Sequence, residues 1–208
     1  VGTYILLSDF SESEVNFITK ENTKGSRSAF LLPDGSKVWL NAESKLIFPE
    51  SFSKNERVVT LTGEAFFQVK KISEKPFKVV TEEIIIDVLG TAFNVSAYPD
   101  DNQITTTLVT GKVGVSDKHP KDGKKHRFVM NKEHKAVFNI EERQFIIDKT
   151  EVETYTSWKE GKLIFNDVPF SEMIKTLERN YDVKFVSGTE YISEYRYKLT
   201  ITDESIEG

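Results

Sequence analysis

The fold is decided by residues 63–69, Gly63-Glu64-Ala65-Phe66-Phe67-Gln68-Val69, where a glycine is followed by a run of strand-forming residues. The same form recurs at residues 35–40, 90–95 and 111–115. The four glycines are spaced by 28, 27 and 21 residues, intervals at which a repeated supersecondary unit stacks on its neighbour. We therefore expect first a coiled, solenoid-like β domain, with a β-sandwich whose hairpins begin at turn glycines as the alternative.

The pattern extends from residue 15 to about residue 149 as short runs of Val, Ile, Phe and Thr between Gly, Pro, Asn or Asp. No 3.6-residue period is sustained there, so this part of the chain is predicted to be all β. Residues 117–127 are hydrophilic and are predicted to form an exposed hairpin loop. The loop carries a basic cluster, which we interpret as a solvated run: Lys118, Lys121, Lys124, Lys125 and Arg127.

The character of the sequence changes after residue 150. Residues 162–165 read as a strand and Asn166-Asp167 as a turn, and Pro169 suits the first turn of a helix that ends near Asp182. One face of this helix is apolar and the other carries charges: Phe170, Ile174, Leu177 and Tyr181 against Glu172, Lys175, Glu178 and Arg179. Residues 183–186 and 195–201 are predicted strands, and a second helix is predicted to start at Ser205.

We predict a mainly β protein with two domains, an all-β domain over residues 1–150 and a small α+β domain of β-α-β-β type over residues 157–208. The polar segment 151–157 is expected to join them. The chain starts with Val and ends inside the second predicted helix, so we expect a fragment whose C-terminal domain is truncated.

Composition excludes several classes of function. The net charge of −5 offers no positive field for a phosphate backbone, so a nucleic-acid partner is not expected. The chain has no Cys, which excludes disulfides, thiol nucleophiles and thiolate metal sites. No apolar run approaches the ~20 residues that span a bilayer.

No catalytic or metal site emerges from the motifs. None of His119, His126 and His134 has the spacing of two metal ligands on one helix face, and we expect no metal and no cofactor. Glu64 and Asp87 are candidate acids because they lie in otherwise apolar strands, yet neither has an identifiable catalytic partner. We therefore interpret the chain as a non-enzyme.

Two further motifs have simpler explanations. Ser51-Phe52-Ser53-Lys54 matches a penicillin-recognition motif without its helical setting, and Asp100-Asp101-Asn102 is interpreted as a polar turn rather than a calcium loop.

The aromatic content, 15 Phe, 7 Tyr and 2 Trp, supports one rival function, a carbohydrate-binding β module. Sugar rings stack on exposed aromatic side chains, whereas most phenylalanines here lie in mid-strand beside other apolar residues. The rival therefore depends on whether the aromatics line an exposed face or fill the core.

The β domain contains, in this order, Leu32-Pro33-Asp34-Gly35-Ser36, Arg57-Val58-Val59, Gly63 to Val69, Val88 to Val95, and Gly111-Lys112-Val113. This order of residues resembles the FecR family of anti-sigma factors. The tail resembles the secretin/TonB short N-terminal-like domain that follows in many members, through Trp158, Gly161, Leu163, Phe165, Pro169, Leu177-Glu178-Arg179, Tyr181 and Val183.

This resemblance implies a periplasmic receiver that is part of a regulator in the inner membrane of a Gram-negative bacterium. In the family a cytoplasmic segment holds an extracytoplasmic-function sigma factor and one helix crosses the membrane, and both would be absent from this chain. A TonB-dependent outer-membrane transporter would present its N-terminal signalling domain to the C-terminal region, after which proteolysis releases the sigma factor.

The segment that includes Tyr195, Tyr197, Leu199 and Ile201 is our candidate partner-binding edge, because its side chains alternate cleanly and a free strand edge can pair with a partner strand. The alternative is a strand that is paired within the tail.

Overall fold

A computed structural model describes residues 15–121, 123–124, 126–186 and 195–202 and shows thirteen strands in one sheet, followed by a small α+β unit. The strands of the large sheet are β1 Phe17–Asn22, β2 Ser28–Leu31, β3 Lys37–Leu40, β4 Ser44–Pro49, β5 Arg57–Gln68, β6 Phe77–Val80, β7 Ile84–Val88, β8 Ala92–Ala97, β9 Gln103–Thr110, β10 Val113–Asp117, β11 Arg127–Met130, β12 His134–Asn139 and β13 Gln144–Lys149. The mainly β class is confirmed.

The long strand β5 divides this sheet into two halves. Its residues 57–62 pair with β4 and β6, whereas residues 63–68 pair with β3 and β8. The first half-sheet has the order β1-β4-β5-β6-β7-β10-β11, and the second has the order β2-β3-β5-β8-β9-β12-β13. Gly63 lies where β5 passes from one half to the other.

The two half-sheets bury their facing sides in one core. Along β5 the side chains of Val59, Leu61, Ala65 and Phe67 are buried at every second position, as expected for a strand with one face on a core. Phe67 stacks on Phe93 with ring centroids 5.2 Å apart. At the outer edges Phe128 of β11 meets Phe145 of β13 at 5.4 Å, so the sheet is nearly closed.

Three of the four recurring glycine runs are neighbours in space but do not form stacked coils, whereas the fourth, from Gly111, supplies β10 in the other half-sheet. The runs beginning at Gly35, Gly63 and Gly90 supply β3, the second part of β5, and β8, which lie side by side. Each pairs antiparallel with the next, whereas successive coils of a solenoid pair in parallel. Of the two topologies that the sequence left open, the antiparallel arrangement corresponds to the sandwich alternative.

The C-terminal unit begins inside the segment that was predicted as a polar linker. Its elements are α1 Glu153–Thr156, a 3₁₀ helix Ser157–Glu160, β14 Lys162–Pro169, α2 Phe170–Tyr181 and β15 Arg196–Thr202. Thr156 and Ser157 are buried, and the Ser157 hydroxyl donates to the Lys162 carbonyl at 2.7 Å. The predicted linker is therefore partly helical and packed, and the domain boundary itself stays a prediction.

The β-α-β-β prediction is met in three of its four elements. Strand β14, helix α2 and strand β15 are present, and α2 ends at Tyr181 with Asp182 as its C-cap in the left-handed conformation. Residues 183–186 are irregular and exposed instead of forming a strand, and the Phe185 amide donates to the Glu178 carboxylate of α2 at 2.9 Å. The helix predicted from Ser205 lies outside the described residues.

The hairpin loop predicted at residues 117–127 is present between β10 and β11. Within the described part of the chain, no helix combines the length and apolar character that crossing a bilayer requires.

Candidate functional site

Strand β15 forms one edge of the small two-stranded sheet. It pairs antiparallel with β14, from Thr202 opposite Lys162 to Arg196 opposite Pro169. No other strand among the described residues pairs with β15, so its second edge is open there. The strand is therefore paired internally on one side, and its use as a partner-binding edge on the other stays a prediction.

The side chains of β15 divide between two faces. Tyr197, Leu199 and Ile201 are half-buried and pack into an apolar cluster with α2, and the rings of Tyr197 and Phe170 lie 5.3 Å apart. Tyr195, just before the strand, is 64% exposed. A strand added to this edge would pair with the backbone. Its alternating side chains would meet Lys198 and Thr200 on one face and Tyr197, Leu199 and Ile201 on the other.

A cleft of about 640 Å³ lies between the C-terminal unit and the outer face of the second half-sheet. Thr105 of β9 and Lys135 of β12 line one wall, and β14 with Lys175 of α2 lines the other. Charges of both signs face the cleft, so it shows no preference for an anion or a cation.

A polar network lies where Trp158 meets the β domain. Both carboxylate oxygens of Glu64 accept hydrogen bonds, from the Asn41 amide and the Asn94 amide, each at 2.7 Å. The Asn94 carbonyl oxygen in turn accepts from the Trp158 indole at 3.1 Å. Burial raises the pKa of Glu64 although the two amide hydrogen bonds oppose it. Glu64 points away from the core, as expected for its strand position, but the C-terminal unit covers it.

A second group of contacts surrounds Arg179 of α2. Its guanidinium lies over the ring of Tyr98, 3.9 Å from the centroid, and donates to the Asp101 carboxylate at 2.9 Å and to that of Asp100. The Arg179 side chain is only 7% exposed. Burial raises the pKa of Asp100, but the charge and hydrogen bond of Arg179, together with a backbone hydrogen bond and the charge of Lys175, hold that pKa below its usual value.

Sequence reasoning placed Arg179 on the charged face of the helix without identifying its role. It also interpreted Asp100-Asp101-Asn102 as a polar turn, and these residues do form the turn between β8 and β9. The signal that was missed is the pairing of these two features, since an acidic turn and a lone arginine 78 residues later cannot be matched by spacing.

In the described part of the chain, the candidate acids accept hydrogen bonds from arginine and asparagine side chains and from no nucleophile. Asp87 pairs with Arg127, its Oδ1 accepting from Nε at 3.1 Å, and Glu64 is held by two asparagines. Within the described residues there is no group of three His, Asp or Glu side chains arranged to hold a metal. His119 and His126 lie in the β10–β11 loop and His134 begins β12.

The aromatic side chains are found mainly in the interior. Phe67, Phe77, Phe93 and Phe138 are fully buried in the core, which answers the question on which the carbohydrate rival depended. The most exposed aromatics lie on separate segments of the described chain: Phe17, Phe128, Phe185 and Tyr195. These positions offer no continuous stacking platform.

Comparison with known families gives two matches, which together cover more than half of the chain. The model described as FecR protein matches residues 19–114, and the model described as FecR, C-terminal matches residues 162–208. No curated protein matches the sequence.

Two solved structures of a protein from Parabacteroides distasonis ATCC 8503, assigned as an anti-sigma factor, share this fold. The crystal structure at 2.50 Å resolution has a TM-score of 0.84 and 29% identity, over 92% of this chain and 87% of that one. The one at 1.65 Å resolution has a TM-score of 0.82 and 29% identity, over 91% of this chain and 87% of that one.

Proposed function

Because the chain belongs to the FecR family of anti-sigma factors, we propose that it is the signal-receiving part of a transmembrane regulator. In this proposal the chain binds the N-terminal signalling domain of a TonB-dependent outer-membrane transporter. The parent protein relays the state of that transporter to an extracytoplasmic-function sigma factor, without catalysing a reaction.

The open edge of β15 is the observation that carries the proposal. Among the described residues β15 pairs only with β14, and a strand paired on one side can bind a partner strand on its other side through backbone donors and acceptors. Helix α2 and the apolar cluster hold β15 from behind, so the edge is offered in a fixed conformation. The outward side chains Lys198 and Thr200 would then select the partner.

The proposal places the chain in the periplasm and its parent in the inner membrane. Family membership supports this location, because a regulator that binds an outer-membrane transporter must face the periplasm. The sigma factor would bind a cytoplasmic segment on the other side of one membrane helix.

The experiment is a calorimetric titration of this chain with transporter signalling domains from the same organism. Thr200→Asp places a charge beside the open edge without entering the apolar cluster, since Thr200 is exposed. We expect it to weaken binding by about tenfold or more, as for loss of a contact worth above ~1.4 kcal/mol. Thr19→Asp, at an exposed position of β1, is the matched control and should bind like the unmodified chain. Equal affinity of all three proteins would contradict the proposed edge.

A further inference from the structure

The C-terminal end of α2 is held by two separate turns of the β domain. The β8–β9 turn supplies Asp100 and Asp101 to the guanidinium of Arg179. The β1–β2 turn supplies the Gly25 amide, which donates to the Arg179 carbonyl at 2.8 Å. Arg179 is thus bound to the β domain through both its side chain and its backbone.

The neighbouring residue strengthens the same attachment. The guanidinium of Arg27, in the β1–β2 turn, donates to Oδ1 of Asn180 at 3.0 Å. Both side chains of the pair Arg179 and Asn180 are buried although they are polar. Buried polar groups need well-placed hydrogen-bond partners. These contacts therefore define one position for this end of α2 on the β domain.

The start of the unit is attached independently through Trp158. Its indole N–H donates to Asn94, and the amide of Asn94 donates to Glu64. The side-chain amide of Asn94 therefore has only one useful orientation, with its oxygen toward the indole. Trp158 and Arg179 hold the unit at two points, one before β14 and one at the end of α2.

An apolar cluster fills the space between these two points. Phe66, with Trp39, Ala92 and Val109 around it, is the contribution of the β domain. Trp158, Leu163, Phe165, Met173 and Leu177 are the buried contribution of the unit. Apolar burial stabilises the contact but is non-directional, so directional contacts must fix the orientation.

We propose that Arg179 is a positioning residue, which sets the orientation of the C-terminal unit on the β domain and thereby the direction in which the β15 edge faces. Its guanidinium spans Asp100, Asp101 and the Tyr98 ring, a combination that the planar fork of arginine can satisfy and a lysine ammonium cannot. The side chains of Asp100 and Asp101 are 62% and 26% exposed, and Lys175 lies 3.5 Å from Asp101, so both carboxylates keep solvent or another cation as a partner when Arg179 is replaced.

The significance of this orientation for signalling rests on the proposed function, because only that proposal makes β15 a receiving edge. The test uses the chain without any partner. Its failure would leave the binding proposal standing, and a failure of partner binding would leave this inference untouched.

The test is Arg179→Met, which removes the charge but keeps an unbranched side chain over Tyr98. Both tryptophans of the chain belong to the apolar cluster between the β domain and the C-terminal unit, so their fluorescence reports on this contact directly. We expect emission at longer wavelength, faster hydrogen exchange of the Gly25 amide and loss of protection of the Trp158 indole N–H. The circular dichroism of the folded chain should be retained, and Arg179→Lys should recover part of the indole protection.

Two further variants complete the design. Asp100→Asn combined with Asp101→Asn removes the two β-domain carboxylates that bind Arg179. This double variant should reproduce the changes in tryptophan emission and hydrogen exchange. Arg196→Met is the matched control, because Arg196 is exposed and its ion pair with Asp167 stays within the unit. This control should change neither the emission nor the exchange.

An unchanged Trp158 indole signal in the Arg179→Met and double-asparagine proteins would overturn the proposal, even if the Gly25 amide exchanged faster. That result would limit Arg179 to holding the end of its own helix. Loss of folded structure in both proteins would also contradict positioning, since Arg179 would then be needed for folding itself.

Discussion

Asp34 and Arg57 form an ion pair that is almost completely buried, with 6% and 0% of their side chains exposed. Arg57 Nη1 donates to Asp34 at 2.7 Å, and the guanidinium also donates to the carbonyls of Lys70 and Lys75. Asp34 accepts in addition from the amide and hydroxyl of Ser36. The sequence showed Asp34 in a turn before Gly35. It did not show that Arg57, 23 residues later, would pair with the Asp34 carboxylate.

This ion pair predicts a specific loss of stability in acid. Burial raises the pKa of Asp34, but hydrogen bonds from Ser36 and Arg57 outweigh it and hold that pKa below the ordinary 3.8. A lowered pKa in the folded state stabilises the fold above the ordinary pKa, and this contribution is lost as pH falls through the folded value. The free energy of urea unfolding should therefore fall more steeply below about pH 4 in the unmodified chain than in Asp34→Asn.

At pH 7 Asp34→Asn should cost about 3 kcal/mol, because it leaves the buried arginine without its counter-charge. Asp148→Asn, at an exposed position of β13, should stay within about 0.5 kcal/mol of the unmodified chain. Parallel pH profiles for the Asp34→Asn and unmodified proteins would show that this pair does not act as described.

Gly63 is the residue that allows β5 to serve both half-sheets. Its φ is +88°, and a Cβ added there would lie 2.8 Å from the backbone Cα of Ser44. Glycine was recognised in the sequence as the start of a recurring run, but its position inside a strand could not be inferred from the run alone.

We expect Gly63→Ala to destabilise the fold by about 3 kcal/mol, from backbone strain and the clash with β4. Gly123→Ala is the control, because Gly123 has a φ of +69° but nothing within 4 Å of the added Cβ. Chemical unfolding should show a much smaller cost for Gly123→Ala, of about 1 kcal/mol. Equal losses of stability in the two variants would mean that the close approach of Ser44 to Gly63 does not contribute to the cost.

At the scale of elements, periodicity predicted well wherever one face of an element is buried. The apolar face of α2 and the alternation of β15 were both visible in the sequence, and both elements are present. Residues 183–186 also have a strand-like composition, but a hydrogen bond to Glu178 holds Phe185 beside α2. This contact with the preceding helix is not visible in the strand propensity of the segment itself.

The 3₁₀ helix gives a prediction at this scale. Trp158→Phe keeps an aromatic ring in the apolar cluster between the β domain and the C-terminal unit, but leaves the Asn94 oxygen without its indole donor. The free energy of unfolding should fall by about 1–2 kcal/mol, the cost of an unsatisfied buried polar group. Trp39→Phe alters the other indole of the same cluster and should cost less in the same urea titration. A larger cost for Trp39→Phe than for Trp158→Phe would contradict a stabilising hydrogen bond between Trp158 and Asn94.

At the level of the whole molecule, the sequence predicted the order of the two parts of the chain but not how they pack together. An all-β part followed by a small α+β part could be predicted, because periodicity changes near residue 150. The folding of one sheet about β5 could not, because β5 pairs with four other strands. Neither could the docking of the C-terminal unit, since Glu64, Asn94 and Arg179 meet only in three dimensions.

Under the proposed function, binding at the β15 edge depends on the whole assembly. The β domain supplies a rigid base, α2 supports the edge from behind, and the polar contacts of Trp158 and Arg179 fix its direction. In this view the large domain contributes orientation and the small unit contributes the binding contact.

The most direct test of this account is amide hydrogen exchange of the chain with and without a transporter signalling domain that binds it. We predict that binding slows exchange most strongly across residues 196–202, because a partner strand would protect the open edge of β15. Protection confined to the β domain, with exchange along β15 unchanged, would contradict the account.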